Sequence, residues 1–307
     1  MEKKNSKLLK ACATMGVLEK ELQKDPQLMK IMKDNEEYTQ KWILDNSSDL
    51  TRTIDGIITI PVVVNVLYRM PYENISQKQI LSQIDVLNED FNGGNKEWSL
   101  IPPPFNTIKA DVGIRFYLDG VVRRMTSRRS WPVNDSVKIA TMGGINPTSP
   151  TTKLNIWVCT IENNILGYAK FPGGNPLTDG LVILNSAFGS REKHPRGYYQ
   201  PRYDKGRTTT HELGHWLNLY HPWGPTALGA DDLVEDTPPQ TGPSYECFTM
   251  PTDINDASVE PILNLNHMDY LEDSCMWMFT NGQKARMLAT FSPRGPRSSF
   301  LLRKTNL

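Results

Sequence analysis

No stretch limits what this chain can become as tightly as residues 211–221, HELGHWLNLYH. His211 and His215 stand four apart, so on a helix both imidazoles leave one face and can grip a single ion, with Glu212 beside it. His221 follows at the spacing of the longer pattern HExxHxxGxxH, where a glycine lets the chain turn and a third imidazole reach the same ion from below. Asn218 occupies the glycine position. Asparagine is the residue after glycine that most readily takes a left-handed conformation, so a turn is expected there at modest cost. Three nitrogens with a fourth position open are the donor set of a hydrolytic zinc ion, and Glu212 is placed to carry a proton. The bland reading of a bare HExxH is a surface helix with two solvated histidines. The chain has only 5 His, three of them in this stretch, which argues against it.

Asn266-His267-Met268-Asp269-Tyr270 lies downstream. Together with the histidine motif it resembles the metzincin clan, a resemblance that implies a tight turn with Met268 beneath the metal. Alone, a methionine there is core filler. Gly206-Arg207-Thr208, His221-Pro222-Trp223-Gly224, Asp236-Thr237-Pro238, Cys275-Met276 and Met278-Phe279-Thr280 narrow the likeness, supported by Leu154-Asn155-Ile156-Trp157-Val158-Cys159, Phe171-Pro172-Gly173-Gly174 and Gly282-Gln283-Lys284-Ala285-Arg286-Met287. Over nearly its whole length the chain resembles the pappalysins, especially the compact microbial ulilysin-like members. The resemblance implies a zinc endopeptidase acting on protein or peptide substrates. It also implies an α/β (α+β) metzincin fold: a twisted, five-stranded, mostly parallel sheet and the zinc-binding helix in an upper subdomain, then an irregular lower subdomain with a C-terminal helix.

Composition agrees with a soluble enzyme. The 307 residues are 38% hydrophobic, enough for a sizeable core, and Lys plus Arg balance Asp plus Glu at 34 each, so nothing points to nucleic acid or an anionic membrane. The longest apolar run, residues 57–68, is too short for a bilayer and contains Pro61 and Asn65. No signal peptide is visible; export, to the periplasm or outside the cell, is implied by resemblance alone. The sequence says nothing of oligomeric state.

Texture changes near residue 50. Asp25-Pro26 opens a helix, and Leu28, Met29, Ile31, Met32, Tyr38, Trp42 and Ile43 follow at roughly helical spacing. Asp45-Asn46-Ser47-Ser48-Asp49 reads as a linker. The expected organisation is a helical propeptide over 1–52 and a catalytic domain over 53–307, its upper subdomain about 53–223 and its lower about 224–307. Strands are expected at 57–68, 113–118, 154–161, 166–171 and 181–184. Ser76 with Gln79 forms a capping box for a helix that Gly93-Gly94 stops, and Thr280 with Gln283 another for a helix through Phe291. The strand at 166–171 would be the sheet edge where an extended peptide pairs through its backbone; the plain alternative is an ordinary edge strand.

The resemblance distributes further roles. Tyr270 would contact the metal at rest and donate to the oxyanion during turnover, against the alternative of a packed core tyrosine. Cys247 and Cys275 would form a disulfide, with Cys159 left as a buried thiol. Cys12, in Cys12-Ala13-Thr14-Met15, resembles the propeptide cysteine that occupies the open zinc position and keeps the enzyme latent, although Ala13 replaces the usual glycine. A solvated thiol and a lipoprotein cysteine are the alternatives for it. Asp232, Glu235 and Thr237 would contact calcium, or form a solvated acidic loop. Arg123, Arg124, Arg128 and Arg129 read as a solvated loop. Arginine-selective relatives place Asp just before the cysteine matching Cys275; this chain has Ser274, which predicts weak selectivity for Arg after the cut, with Glu272 and Asp273 as substitutes if the loop turns differently. A catalytically silent zinc module predicts loss of Glu212 or a ligand, and neither is lost. An amidase acting on a non-protein substrate stays open.

Overall fold

A computed structural model of the chain describes residues 12–46, 58–225, 231–245, 247 and 263–301. Its centre is a five-stranded sheet in the order β2-β1-β3-β5-β4. β1 (Ile58–Tyr68), β2 (Ile114–Met125), β3 (Leu154–Cys159) and β5 (Leu181–Leu184) run parallel, and β4 (Gly167–Ala169) returns antiparallel along β5 at one edge. β1 and β3 read as nearly continuous apolar runs because helices or loops cover both faces of a parallel sheet.

β2 runs well past the expected residue 118. A register shift opposite Val62 and Val63 lets it continue along β1 to Met125. Arg123 and Arg124 therefore sit on a strand rather than in a solvated loop. Arg123 donates to Asn74 Oδ1 at 2.6 Å and to the Ile75 carbonyl at 2.7 Å, and Arg124 to the Gly144 carbonyl at 2.6 Å. The other strands match the expected runs within two residues at each end.

Two helices begin the described chain: α1 (Thr14–Lys24) and α2 (Pro26–Asp45). The Asp25 side chain caps α2 by accepting from Gln27 N at 3.0 Å. α1 escapes the sequence because it starts at Ala13 without a side-chain cap and contains Gly16. α2 ends at Asp45; the expected boundary near residue 52 lies outside the described residues.

α3 (Gln77–Asp90) follows β1, a single-turn α4 (Pro103–Asn106) precedes β2, α5 (Arg207–Trp216) carries the histidines, and α6 (Asn281–Ala289) closes the fold. Ser76 caps α3 by accepting from Gln79 N, but the other half of the expected box is missing. Gln79 turns inward instead, where Nε2 donates to the Phe188 and Tyr198 carbonyls at 2.8 and 2.9 Å, pinning the loop that leads to α5. At α6 both halves of the Thr280–Gln283 box form, and the helix stops two residues before Phe291. The chain beyond Gly224 is irregular up to α6 among the described residues.

Candidate metal centre and substrate cleft

Every residue of α5 is buried, and the helix lies against β4 and β5. Its turn ends at Leu217, after which Asn218 adopts φ 71°, the left-handed conformation expected where the longer motif has glycine. That reversal brings His221 back beneath His215. The three Nε2 atoms stand 3.2, 3.0 and 3.3 Å apart.

Backbone carbonyls fix two of the rings. His211 Nδ1 lies 2.8 Å from the His267 carbonyl and His215 Nδ1 2.7 Å from the Leu219 carbonyl. A carbonyl only accepts, so each Nδ1 carries the proton and each Nε2 presents a lone pair toward the others. Lone pairs crowded this closely call for a cation. Imidazole nitrogens roughly 2.0–2.1 Å from one tetrahedral zinc ion would stand about 3.3–3.4 Å apart, and a thiolate sulfur at about 2.3 Å would stand about 3.5 Å from each. The imidazole spacings of 3.0–3.3 Å come within about 0.4 Å of the first figure, and Cys12 Sγ, 3.5 Å from His215 Nε2, stands at a fourth corner.

Met268 is fully buried below the helix. A Cβ on Gly214 would stand 2.3 Å from Met268 Sδ, so only glycine lets the helix settle on the methionine. A Cβ on Gly167 of β4 would lie 2.9 Å from Glu212 Cγ, which shows how closely the edge strand passes the glutamate. Tyr270 packs edge-on to His221 with ring centroids 4.8 Å apart, Trp223 stacks on His221 at 4.6 Å, and Tyr270 and Trp223 meet each other edge-on at 4.9 Å. The Tyr270 phenol donates to the Cys12 carbonyl at 3.3 Å. Burial, with Cys12 and Glu212 close by, pushes this phenol up from its ordinary pKa, so it remains a donor.

The N-terminal segment threads the cleft. Cys12 pairs with Gly167 in a parallel bridge, and Ala13 N donates to the Gly167 carbonyl at 3.0 Å. Thr14, which the sequence reading passed over, donates to Glu212 Oε2 at 2.7 Å and accepts from Ala169 N at 2.8 Å. Its sequence signal was its place in Cys12-Ala13-Thr14-Met15, whose likeness to a propeptide cysteine segment gave the threonine no role of its own. Farther out, Arg286 of α6 holds Glu36 of α2 through two bonds of 2.8 Å, while also reaching the Asn218 carbonyl at 3.3 Å. Spacing gave no hint of that pair.

Cys247 and Cys275 are disulfide-bonded, Cα–Cα 5.4 Å, and Cys159 is a buried free thiol. Ser274 is exposed, 3.2 Å from Glu272 Oε1. Neither neighbouring acid is idle: Glu272 pairs with Arg202, and buried Asp273 accepts from the Lys205 and Arg207 backbone amides at 2.9 and 3.2 Å. In the acidic loop, Asp232 accepts from the Thr237 hydroxyl at 2.8 Å, and burial pushes its carboxyl up to about 7; Glu235 points to solvent.

Comparison with known proteins agrees with this geometry. The family model described as Pregnancy-associated plasma protein-A, Peptidase_M43, matches residues 196–292. Extracellular metalloprotease 1 of Coccidioides posadasii is 33% identical over 219 residues, 69% of this chain and 68% of that protein. Mature mirolysin of Tannerella forsythia, solved with a cleaved peptide, superposes with TM-score 0.74 at 38% identity, covering 81% of this chain and 97% of that one. A promirolysin mutant of the same organism superposes with TM-score 0.77 at 33% identity, covering 95% and 97%. Fold and relatives define a zinc metalloendopeptidase of the metzincin type. Within that class, the chain belongs to the pappalysin family.

Proposed function

We propose that His211, His215 and His221 hold the catalytic zinc, that Glu212 is the proton carrier for peptide hydrolysis, and that the intact chain is a latent form whose N-terminal segment fills the cleft. The convergence of three Nε2 lone pairs, two of them fixed by carbonyls on Nδ1, carries this reading. Zinc bound there acidifies a water and polarises the scissile carbonyl. Glu212 removes a proton from the attacking water and passes it to the leaving amine. Tyr270 donates from its phenol to the carbonyl oxygen as negative charge develops. β4 offers the Gly167 carbonyl and Ala169 amide to an extended substrate, the groups that Ala13 and Thr14 now occupy.

Latency is supported by Cys12 Sγ at the fourth donor position and by the Thr14 hydroxyl on Glu212. The larger share of this chain matched by promirolysin than by mature mirolysin points the same way. Cleavage near residues 50–53, outside the described residues, would release the 1–52 segment from the 53–307 catalytic domain. The calcium reading rests on Asp232 and Thr237 meeting within one loop, and calcium titration of thermal stability tests it. Export is supported by relatives named as extracellular; among the described residues no helix is long and apolar enough to cross a membrane.

Glu212→Ala tests the mechanism. It should cut peptide hydrolysis by about 10²–10⁴-fold or more in trimmed enzyme while leaving zinc near one per chain by elemental analysis. Full activity in a metal-replete mutant would eliminate the role of Glu212, and an untrimmed chain as active as the trimmed one would eliminate latency. Sequencing the cut products of a peptide library also reads Ser274: with Glu272 and Asp273 committed elsewhere, no dominant Arg is expected just after the cut.

A further inference from the structure

Lys170 follows the last residue of β4, with a side chain only 6% exposed. Its ammonium meets two carboxylates, Asp135 at 2.9 Å and Glu21 of α1. A second ammonium stands behind it: Lys138 is buried, donates to the Thr178 carbonyl at 2.5 Å and lies 3.5 Å from Asp135 Oδ1. The remaining acid near Lys138, Asp179, is engaged by both terminal nitrogens of Arg297 at 2.9 and 3.1 Å. Two lysines therefore face two carboxylates, and one of those carboxylates belongs to the N-terminal segment. Lys20 and Lys24, which line the same groove, lie on α1 as well. When α1 departs, Lys138 and Lys170 are left to share Asp135. With α1 gone, Lys170 faces the vacated groove without a full counter-charge, so the groove is suited to take an anion back.

We propose that in the trimmed enzyme Lys170 forms a subsite for an acidic side chain of the substrate, and that Glu21 fills this subsite in the intact chain. The proposal rests on the reading that the N-terminal segment leaves on activation. Position follows from the strand. Gly167 lies against Glu212, and Lys170 is three residues farther along, about 10 Å at the rise of a β-strand. Antiparallel pairing makes the more stable ladder, and a substrate lying that way along β4 has its N-terminal side toward Lys170. The favoured substrate is thus a protein segment with Asp or Glu two to four residues before the scissile bond. A groove of about 240 Å³ between α1 and the Val133–Met142 side already opens beside Lys170.

The test digests a peptide library with full-length protein trimmed by limited proteolysis, then compares peptide pairs that differ only in Glu or Gln at the enriched position. Acid enrichment two to four residues before the cut is expected, with a kcat/KM ratio for Glu over Gln on the order of tenfold. Lys170→Met should bring that ratio near one, and Lys170→Glu should turn the preference toward Lys or Arg. Active enzyme without acid enrichment there, or with an enrichment that Lys170→Met leaves intact, overturns the proposal. Equal activity before and after trimming is a different result: it sinks the latency reading, and the peptide pairs still report on Lys170.

Discussion

α5 and α2 are both helices of this chain, yet one has all ten residues buried and the other, at twenty residues, buries only Leu28 and Thr39. The metal helix is held from every side: Met268 below, β4 and β5 above, and Arg207 at its first position donating to the Asp273 carbonyl at 2.8 Å and to Glu97 at 2.6 Å. The N-terminal helices hold on by polar contacts and an apolar seam formed by Met15, Val17, Leu18, Leu22, Met32 and Trp42. Cys12 and Thr14 enter the cleft, Glu21 meets Lys170, Glu36 meets Arg286, and Tyr38 shares a 2.8 Å hydrogen bond with Ser292. The difference separates a part that defines the fold from a part that is docked on it. A segment held by side-chain bonds and an apolar seam, and outside the sheet, can leave without dismantling the strands that define the fold.

The largest effect should come from the part that defines the fold. Gly214→Ala gains about 1 kcal/mol of helix propensity but drives a methyl group into Met268, and in so tight a site the overlap should win by about 1–3 kcal/mol. A lowered melting temperature and at least tenfold weaker zinc retention against a chelator are expected; a more stable, metal-replete variant would mean that the helix is less confined than its contacts indicate.

An intermediate effect is expected where the segment docks. Glu36→Ala removes the bidentate partner of Arg286, and since Glu36 is partly solvated the loss should be about 1–2 kcal/mol of docking. Basal activity of the intact chain should rise about fivefold or more, with zinc content unchanged. Acid should act the same way in the unmutated chain. Burial opposes ionisation of Glu36, but the Arg286 hydrogen bonds and charge prevail and hold its carboxyl below the usual range. A lowered pKa stabilises docking above the free value near 4.5 and ceases to do so as pH falls through the bound value. Protease accessibility of α2 should therefore increase as pH is lowered past the free carboxylate value near 4.5 and through the lower bound value. Zinc loss from Glu36→Ala would show instead that α2 is part of the scaffold.

The smallest effect belongs to the turn. Asn218 at φ 71° carries a modest strain that glycine lacks, so Asn218→Gly should shift stability by less than about 1 kcal/mol and leave zinc binding intact, whereas Asn218→Val should cost more. Equal tolerance of valine in melting experiments would argue that the left-handed turn is not needed to deliver His221.

The candidate metal centre was legible because the arrangement of its donors is local. His211, Glu212 and His215 share one helix face by periodicity alone, and the Asn218 turn follows from backbone sterics. The strands were legible for a similar reason, since a parallel sheet covered on both faces needs unbroken apolar runs. Gln79 defeated the same kind of reading. A residue with the right spacing to cap Ser76 was drawn instead to the unpaired groups of a loop more than a hundred residues away. α1, within the expected helical propeptide, was not singled out as an element because it lacks a side-chain cap and carries Gly16 in its first turn, although Met15, Leu18 and Leu22 stand at helical spacing.

By itself, then, the sequence determined the donor set, the turn that assembles it and the apolar strands that carry it, each specified by interactions within a few residues. The resemblance around Cys12 named an occupant for the cleft, but only the tertiary structure decided what holds it there. The meetings of Thr14 with Glu212, of Glu21 with Lys170 and of Glu36 with Arg286 span 198, 149 and 250 positions of chain. Polar pairs at such separations leave no periodicity or spacing behind, because neither partner's conformation is set until the core has brought their backbones together.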